Sequence, residues 1–328
     1  MKELTEVSSG VFELRLPIPW EDGRVNCFLL PRGERVDLID CGMNGQDSLA
    51  LIRAAARQVA GPEAKIGRLV VTHIHPDHYG GAGELTERDG AQLFLHRLEV
   101  PMVHPRYLEI EQLVQEVGHH LQVHGVPPAE VAELKNASRG IRQYVGVAAP
   151  ALQLDGSETL QLGTRRLRVE WTPGHSPGHI CLFDRESGLL FAGDQLLPDT
   201  SPNIGLHPQS TPDPLDDYLA GLRRLTALKP RLILPAHGRP FDSVLQRVSE
   251  LEAHHARRKE QILALIGVEE LSAWSVATRV WGRRADLIDS RMALQEGLAH
   301  LQSLSQEGQL EKLAEPGRIT WRRPSSGP

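Results

Sequence analysis

Four apolar runs in this chain each end on side chains that bind metals, and that recurrence constrains the fold more than any other feature. RLVVT at 68–72 runs into HIHPDH, RLRVEW at 166–171 into TPGH, LLFAG at 189–193 into Asp194, and RLILP at 231–235 into PAHG. Short apolar runs of this kind read as buried strands. The loop after a strand is where a rigid scaffold presents chemistry. Seven candidate ligands follow: His73, His75, Asp77, His78, His175, Asp194 and His237. They serve one site only if strand ends far apart in the chain converge.

The residue types suit divalent metals. Neutral imidazoles and carboxylates bind Zn²⁺, with a His nitrogen at about 2.0–2.1 Å. Within HIHPDH, His73 and His75 fall on one side of an extended turn, while Asp77 and His78 aim at a neighbouring position. Five His and two Asp are too many for one tetrahedral ion. They suit two ions that share a bridging carboxylate and a bridging water.

The surrounding pattern is α/β. VFELRLPI at 11–18, and VNCFLL at 25–30 with RVDLID at 35–40 across the turn PRGE, read as strands. QDSLALIRAAARQVA at 46–60 has helical spacing, and AQLFLH at 91–96 is a further strand. Between about 97 and 150 the character changes. Ile110, Leu113, Val114, Val117 and Leu121 follow helical spacing, and Gly125, Pro127 and Pro128 separate that helix from a second. This stretch reads as a helical insert placed to roof the metal edge. Strands resume at 158–163 and 179–184, and a helix covers about 214–227. Beyond about 242 come a long helix, helices at 271–282 and 291–308, the hairpin pattern of QLEKL and ITWRR, and the tail PSSGP. The reading is a catalytic domain over 1–245 and a winged-helix-like C-terminal domain over 246–328.

Composition sets outer bounds. At 40% apolar and 24% charged, this is an ordinary globular chain. A net charge of −6 gives no overall pull toward nucleic acid or anionic membrane. From 271 onward eight basic residues stand against six acidic ones, a thin footprint for phosphate-backbone binding. Packing, or pairing of two copies as a homodimer, is the favoured role for that end. Cys27, Cys41 and Cys181 show no CxxC spacing, the usage of a reducing compartment. No basic-then-apolar leader and no apolar run of about 18 residues is visible. The expectation is a cytoplasmic protein without a membrane span. His119, His120 and His124 read as solvated helix positions, and His179 as fixing the 174–179 turn.

THIHPDH, TPGHSPGH, FAGD and PAHG, with LIDCG upstream, together resemble the metallo-β-lactamase superfamily over about residues 10–240. The resemblance implies a four-layer αβ/βα sandwich with metals at one edge between two sheets. It implies His73, His75 and His175 at one metal, Asp77, His78 and His237 at the other, and Asp194 as the bridge. Asp40 would orient a ligand from behind through hydrogen bonds. Secreted zinc β-lactamases carry Cys at the Asp194 position, which argues against antibiotic hydrolysis. Flavodiiron proteins carry Glu at the His75 position, which argues against redox iron. Only 42 residues lie between Asp194 and His237, so the domain that β-CASP enzymes insert there is absent. EAHHARRKEQILALI and TSPNIGLHP are similar to the β-lactamase-like protein 2 group, whose animal members are described as cleaving single-stranded RNA. Thioester-splitting glyoxalase II lies in the wider neighbourhood.

The expectation is a dinuclear hydrolase, with zinc first and iron or manganese next. Hydroxide bridging the ions would attack a small ester or thioester. The alternative is single-stranded RNA cleavage at the same site. Asp77 is the candidate for proton transfer. The insert offers Arg106, Tyr107, Arg139, Arg142 and Tyr144 to an anionic substrate, and the linking helix offers His254, Arg257 and Arg258. An intact ligand set argues against a binding protein with a vestigial site.

Overall fold

The first half of the chain builds one sheet in nearly sequential order. The computed structural model describes residues 3–19, 23–267, 269–284 and 286–324, so the end of the PSSGP tail lies outside the described residues. Strands β1 (Leu4–Ser8), β2 (Val11–Pro17), β3 (Arg24–Arg32) and β4 (Arg35–Ile39) form an antiparallel meander. Helix α1 (Gln46–Ala60) crosses over to β5 (Lys65–Val70), which lies parallel to β4. Short helices α2 (Pro76–Tyr79) and α3 (Ala82–Asp89) lead to β6 (Gln92–His96). The insert carries α4 (Val100–Val103), α5 (Glu111–Val123) and α6 (Pro128–Leu134), and β7 (Leu152–Leu154) then completes a seven-stranded sheet.

A second sheet of five strands has the order β12-β11-β10-β9-β8. Its members are β8 (Thr159–Leu162), β9 (Arg165–Trp171), β10 (Ile180–Asp184), β11 (Leu189–Gly193) and, after α7 (Pro214–Ala227), β12 (Leu232–Pro235). The two sheets face each other. Phe28, Leu30, Ile39 and Val70 meet Leu167, Val169, Leu182 and Phe191, with the Phe28 and Phe191 rings edge to face at 5.2 Å. Every residue of β10 is buried because both faces are covered. Ile180 and Leu182 point at the other sheet, while Cys181 and Phe183 join Leu215, Tyr218 and Leu222 of α7. Leu49, Ile52 and Ala55 of α1 cover the outer face of the first sheet in the same way. The result is the expected four-layer sandwich.

Pairing direction explains where the site lies. β4, β5 and β6 are mutually parallel, and so are β11 and β12. Parallel strands joined by crossover helices end at the same edge. Asp40, the 73–78 loop, Asp194 and His237 therefore emerge together.

The C-terminal segment continues through α8 (Val244–Ile266), β13 (Leu271–Ser272), α9 (Ala273–Trp281), α10 (Leu287–Gln306), β14 (Glu311–Glu315) and β15 (Arg318–Arg322). Its core is shared with the insert: Leu121, Val126 and Leu134 pack with Ile262, Trp274, Leu298 and Trp321. That packing corrects one sequence expectation. His119 is exposed, but His120 is half-buried, and His124 is 4% exposed and stacked on Trp321 at 5.5 Å. The helical stripe marks one apolar face, and the C-terminal segment covers the flank beside it. Among the described residues no helix is long and apolar enough to cross a membrane.

Burial pushes His124 down to about 3 and, 0% exposed, His300 also down to about 3. The unfolded chain takes up these protons first, near pH 6.5. Stability is therefore full above that value and is lost as pH falls toward 3, at about 1.4 kcal/mol per pH unit per imidazole. The urea midpoint is expected to drop from pH 6 to pH 4, with a shallower slope in the His124→Gln, His300→Gln double variant. An unchanged slope would remove these two residues as its source.

Candidate metal centre

Each ligand loop is held by hydrogen bonds that local sequence makes available. Asp40 follows β4 with φ 57°, a left-handed conformation that Asp tolerates better than most residues. Its carboxylate accepts from the Thr72 amide at 2.7 Å, the Thr72 hydroxyl at 3.0 Å and His78 Nδ1 at 2.8 Å. His179 lies against Thr172 Oγ1 at 2.8 Å, and its Nε2 accepts from the Asp194 amide at 3.1 Å. The glycine of FAGD is required there. Gly193 has φ +52°, and a Cβ on it would sit 2.6 Å from His179 Nε2.

The structure brings all seven candidate side chains together. His75 Nδ1 lies 2.8 Å from His73 Nε2 and 2.9 Å from His175 Nε2. Asp77 Oδ2 lies 3.3 Å from His237 Nε2 and 3.6 Å from His78 Nε2. Asp194 reaches both groups: Oδ2 is 3.4 Å from His175 Nε2, and Oδ1 is 3.5 Å from both His78 Nε2 and His237 Nε2. Two triples that share no residue, His73–His75–His175 and Asp77–His78–His237, each hold their ligand atoms within 4.8 Å of one another.

These residues fit divalent cations. His175 Nδ1 donates to the Asn203 carbonyl at 2.9 Å, and His237 Nδ1 donates to the Arg24 carbonyl at 2.8 Å. A carbonyl only accepts, so the other nitrogen of each ring turns its lone pair inward. His78 Nε2 and Asp194 Oδ1 are buried without a hydrogen-bond partner among the described residues. Such orphaned atoms are costly unless another group satisfies them, and a cation does. Burial, then the neighbouring imidazoles, pushes His73 well below its ordinary range, which keeps it neutral. Burial alone would raise the Asp194 carboxyl, but His237, His78 and His175 outweigh it and hold it well below the usual range. Burial likewise opposes charge on His237, yet Asp194 and Asp77 raise it to about 9. Cation binding there is coupled to loss of that proton.

The family description "Metallo-beta-lactamase superfamily" matches residues 20–237 of this chain. The chain belongs to the metallo-β-lactamase superfamily. Within the superfamily it is 32% identical to a metallo-beta-lactamase family protein from Thermus thermophilus, with a TM-score of 0.85 over 97% of this chain and 100% of that one. "Probable metallo-hydrolase YqjP" of Bacillus subtilis (strain 168) is 26% identical over 84% of this chain and 86% of its own length. "Acyl-coenzyme A thioesterase MBLAC2" of Gallus gallus is 29% identical over 72% of this chain and 80% of its own length. With relatives named as a metallo-hydrolase and a thioesterase, the chain is a hydrolase of this superfamily, which implies divalent metal ions.

Sequence reading passed over Glu99. It is fully buried, and its carboxylate accepts from the Ile74 amide at 2.9 Å, the Ser176 hydroxyl at 2.9 Å and the Gly178 amide at 2.6 Å. It thereby ties the 73–78 loop to the 174–179 loop. A lone acid inside the apolar stretch LEVPMV was the available signal. Most proposed substrate contacts are engaged elsewhere. Arg139 pairs with Glu111 at 2.6 Å, Arg142 holds the carbonyls of Tyr107 and Leu108, and the Tyr107 hydroxyl donates to the Ile74 carbonyl. Arg258 lies over the Trp281 ring, His254 packs on His255, and Arg257 is exposed. Arg106 remains.

Asp40→Ala is expected to weaken metal affinity by about 10–100-fold. Asp40→Asn, which keeps the backbone preference, separates lost charge from lost conformation. Titration against a competing chelator reads both. Wild-type affinity in Asp40→Ala would show that His78 does not depend on this carboxylate.

Proposed function

We propose that the chain is a dinuclear hydrolase of small esters or thioesters. His73, His75 and His175 would hold one cation, Asp77, His78 and His237 the other, with Asp194 between them. The observation that carries this reading is the split of one carboxylate, Oδ2 toward His175 and Oδ1 toward His78 and His237. Zinc suits an imidazole and carboxylate set, with iron and manganese as alternatives.

Such cations, when bound, would supply water of lowered pKa, about 7, and a Lewis acid for a carbonyl oxygen. The side chains position and move protons. Asp194 offers one oxygen to each group and sets their spacing. Asp40 and the Asn203 carbonyl fix the rings of His78 and His175. Asp77 would take up a proton and return it to the leaving group. A thioester is favoured over an ester because a thiol, of pKa about 8.5, leaves with little help. The relative named an acyl-coenzyme A thioesterase supports the same choice. Residues 246–328 are proposed as a winged-helix-like unit that packs on the insert.

The test is a panel of thioesters, lactones and single-stranded RNA, with and without chelator, run with metal content per chain. Two equivalents and chelator-sensitive thioester cleavage are expected. One equivalent would remove the dinuclear reading. RNA cleavage lost in His75→Ala, without thioester turnover, would replace the substrate class.

A further inference from the structure

We propose that Arg106, His207 and Arg291 form an anion-binding subsite beside the metal centre, which takes the phosphate of a small phosphorylated thioester. The substrate class rests on the hydrolase reading above; the subsite itself rests on its own geometry.

Three separate parts of the chain supply it: Arg106 from the insert, His207 from the loop after β11, and Arg291 from α10, where the Leu206 amide donates to the Gln295 carbonyl at 2.9 Å, one turn from Arg291. Arg106 Nε donates to Gln209 Oε1 at 3.0 Å, and the Gln209 amide donates to His207 Nδ1 at 3.2 Å. Because Nδ1 accepts, a neutral His207 carries its proton on Nε2, which becomes a donor. Arg291 touches the Leu134 carbonyl and the Ser138 hydroxyl, and its Nε is buried with no partner among the described residues. Arg139 by contrast has Glu111, and Arg283 has Glu130. Among the described residues neither Arg106 nor Arg291 has one. All three side chains are half-buried, so they stay within reach of solvent.

Two of its three side chains are cations, and Glu99, already bound by two amides and a hydroxyl, is the acid whose charge Arg106 feels. Burial, then Arg106, lowers Arg291 to about 10, and burial with Arg106, His120 and Arg291 holds His207 well below its ordinary range. Guanidinium pairs of this kind match the oxygens of a phosphate better than a lone ammonium would. A phosphate monoester carries about −1.5 to −2 at neutral pH, the charge that two guanidiniums lack.

The subsite also borders the chemistry. Tyr107, next to Arg106, donates to the carbonyl of Ile74 between His73 and His75. Asn203, whose carbonyl holds His175, donates its side-chain amide to the carbonyl of Met292, next to Arg291. Each arginine is thus one residue from a group that touches a ligand loop. Leu108, Leu287 and Met292, at 47%, 39% and 36% exposure, are three of the six large apolar side chains left exposed among the described residues. They flank the two arginines in the chain and suit the apolar part of an acyl carrier.

The experiment compares acetyl-coenzyme A with S-acetyl-N-acetylcysteamine, which has the same thioester bond and no phosphate. The metal-loaded full chain is measured beside Arg106→Met and Arg291→Lys, with metal content and Tm as controls. Wild type is expected to favour the phosphorylated substrate at least about tenfold in kcat/KM, and Arg106→Met to reduce that ratio about tenfold, through KM. A ratio unchanged in both variants overturns the proposal, as does a parallel fall for both substrates. If wild type cleaves neither thioester, the thioesterase reading fails alone. The subsite is then judged by calorimetric titration with inorganic pyrophosphate. Binding weakened about tenfold in Arg106→Met supports the subsite, while absent or equal binding overturns it. Loss of single-stranded RNA cleavage in Arg106→Met with an intact thioester ratio would make RNA the occupant and overturn the proposal.

Discussion

Asp194→Asn is expected to cut kcat/KM by about a thousandfold, or roughly 4 kcal/mol of transition-state stabilisation, and to lower metal content below the wild-type value. Its carboxylate faces His78, His175 and His237, which belong to the two different triples. Asparagine keeps the volume, and its backbone amide can still donate to His179, so the loop has no reason to move. What disappears is the negative charge that three inward-facing imidazoles share, together with one of the two oxygens. Breaking a buried charged contact from one side is costly because the remaining partners stay desolvated and uncompensated. The measurement is kcat/KM with metal per chain, and Tm as a folding control. Activity within tenfold of wild type at full metal content would overturn the bridging role of Asp194.

Chelation is expected to abolish hydrolysis and to lower Tm by about 5–10 °C. The physical source is the close approach of like groups. His73 Nε2 and His75 Nδ1 lie 2.8 Å apart, and His75 Nδ1 and His175 Nε2 lie 2.9 Å apart. Among the described residues His78 Nε2 and Asp194 Oδ1 have no hydrogen-bond partner to replace a cation. A ligand present at a thousand times its Kd adds about 4 kcal/mol of stability. In a chain of this size each kcal/mol is worth about 2 °C. Calorimetric scans before chelation, after it and after Zn²⁺ return test this directly. Full activity with an unmoved Tm in the metal-free chain would sink the metal-centre reading.

The strands that carry the site were readable because their signals are local. LLFAG at 189–193 coincides with β11, and RLRVEW falls within β9. Edge strands were not readable in the same way. β1 and β7 lack a buried alternating face, and two of the three β7 residues are exposed. His124 was placed on a solvated face because helical periodicity identifies one partner and says nothing of a second. Glu99 escaped because a single carboxylate in an apolar run has no period at all.

Ligand types, their order and the loops that bear them were determined by the sequence alone. They are written in adjacent residues, where a strand gives way to HIHPDH, TPGH, FAGD or PAHG. Tertiary structure alone decided which way each Asp194 oxygen faces, that Glu99 ties two ligand loops, and that Arg106 and Arg291 pair with no carboxylate among the described residues. Those distances separate residues remote in the chain. They are set by how two sheets, an insert and a C-terminal segment pack, which no short stretch of sequence records.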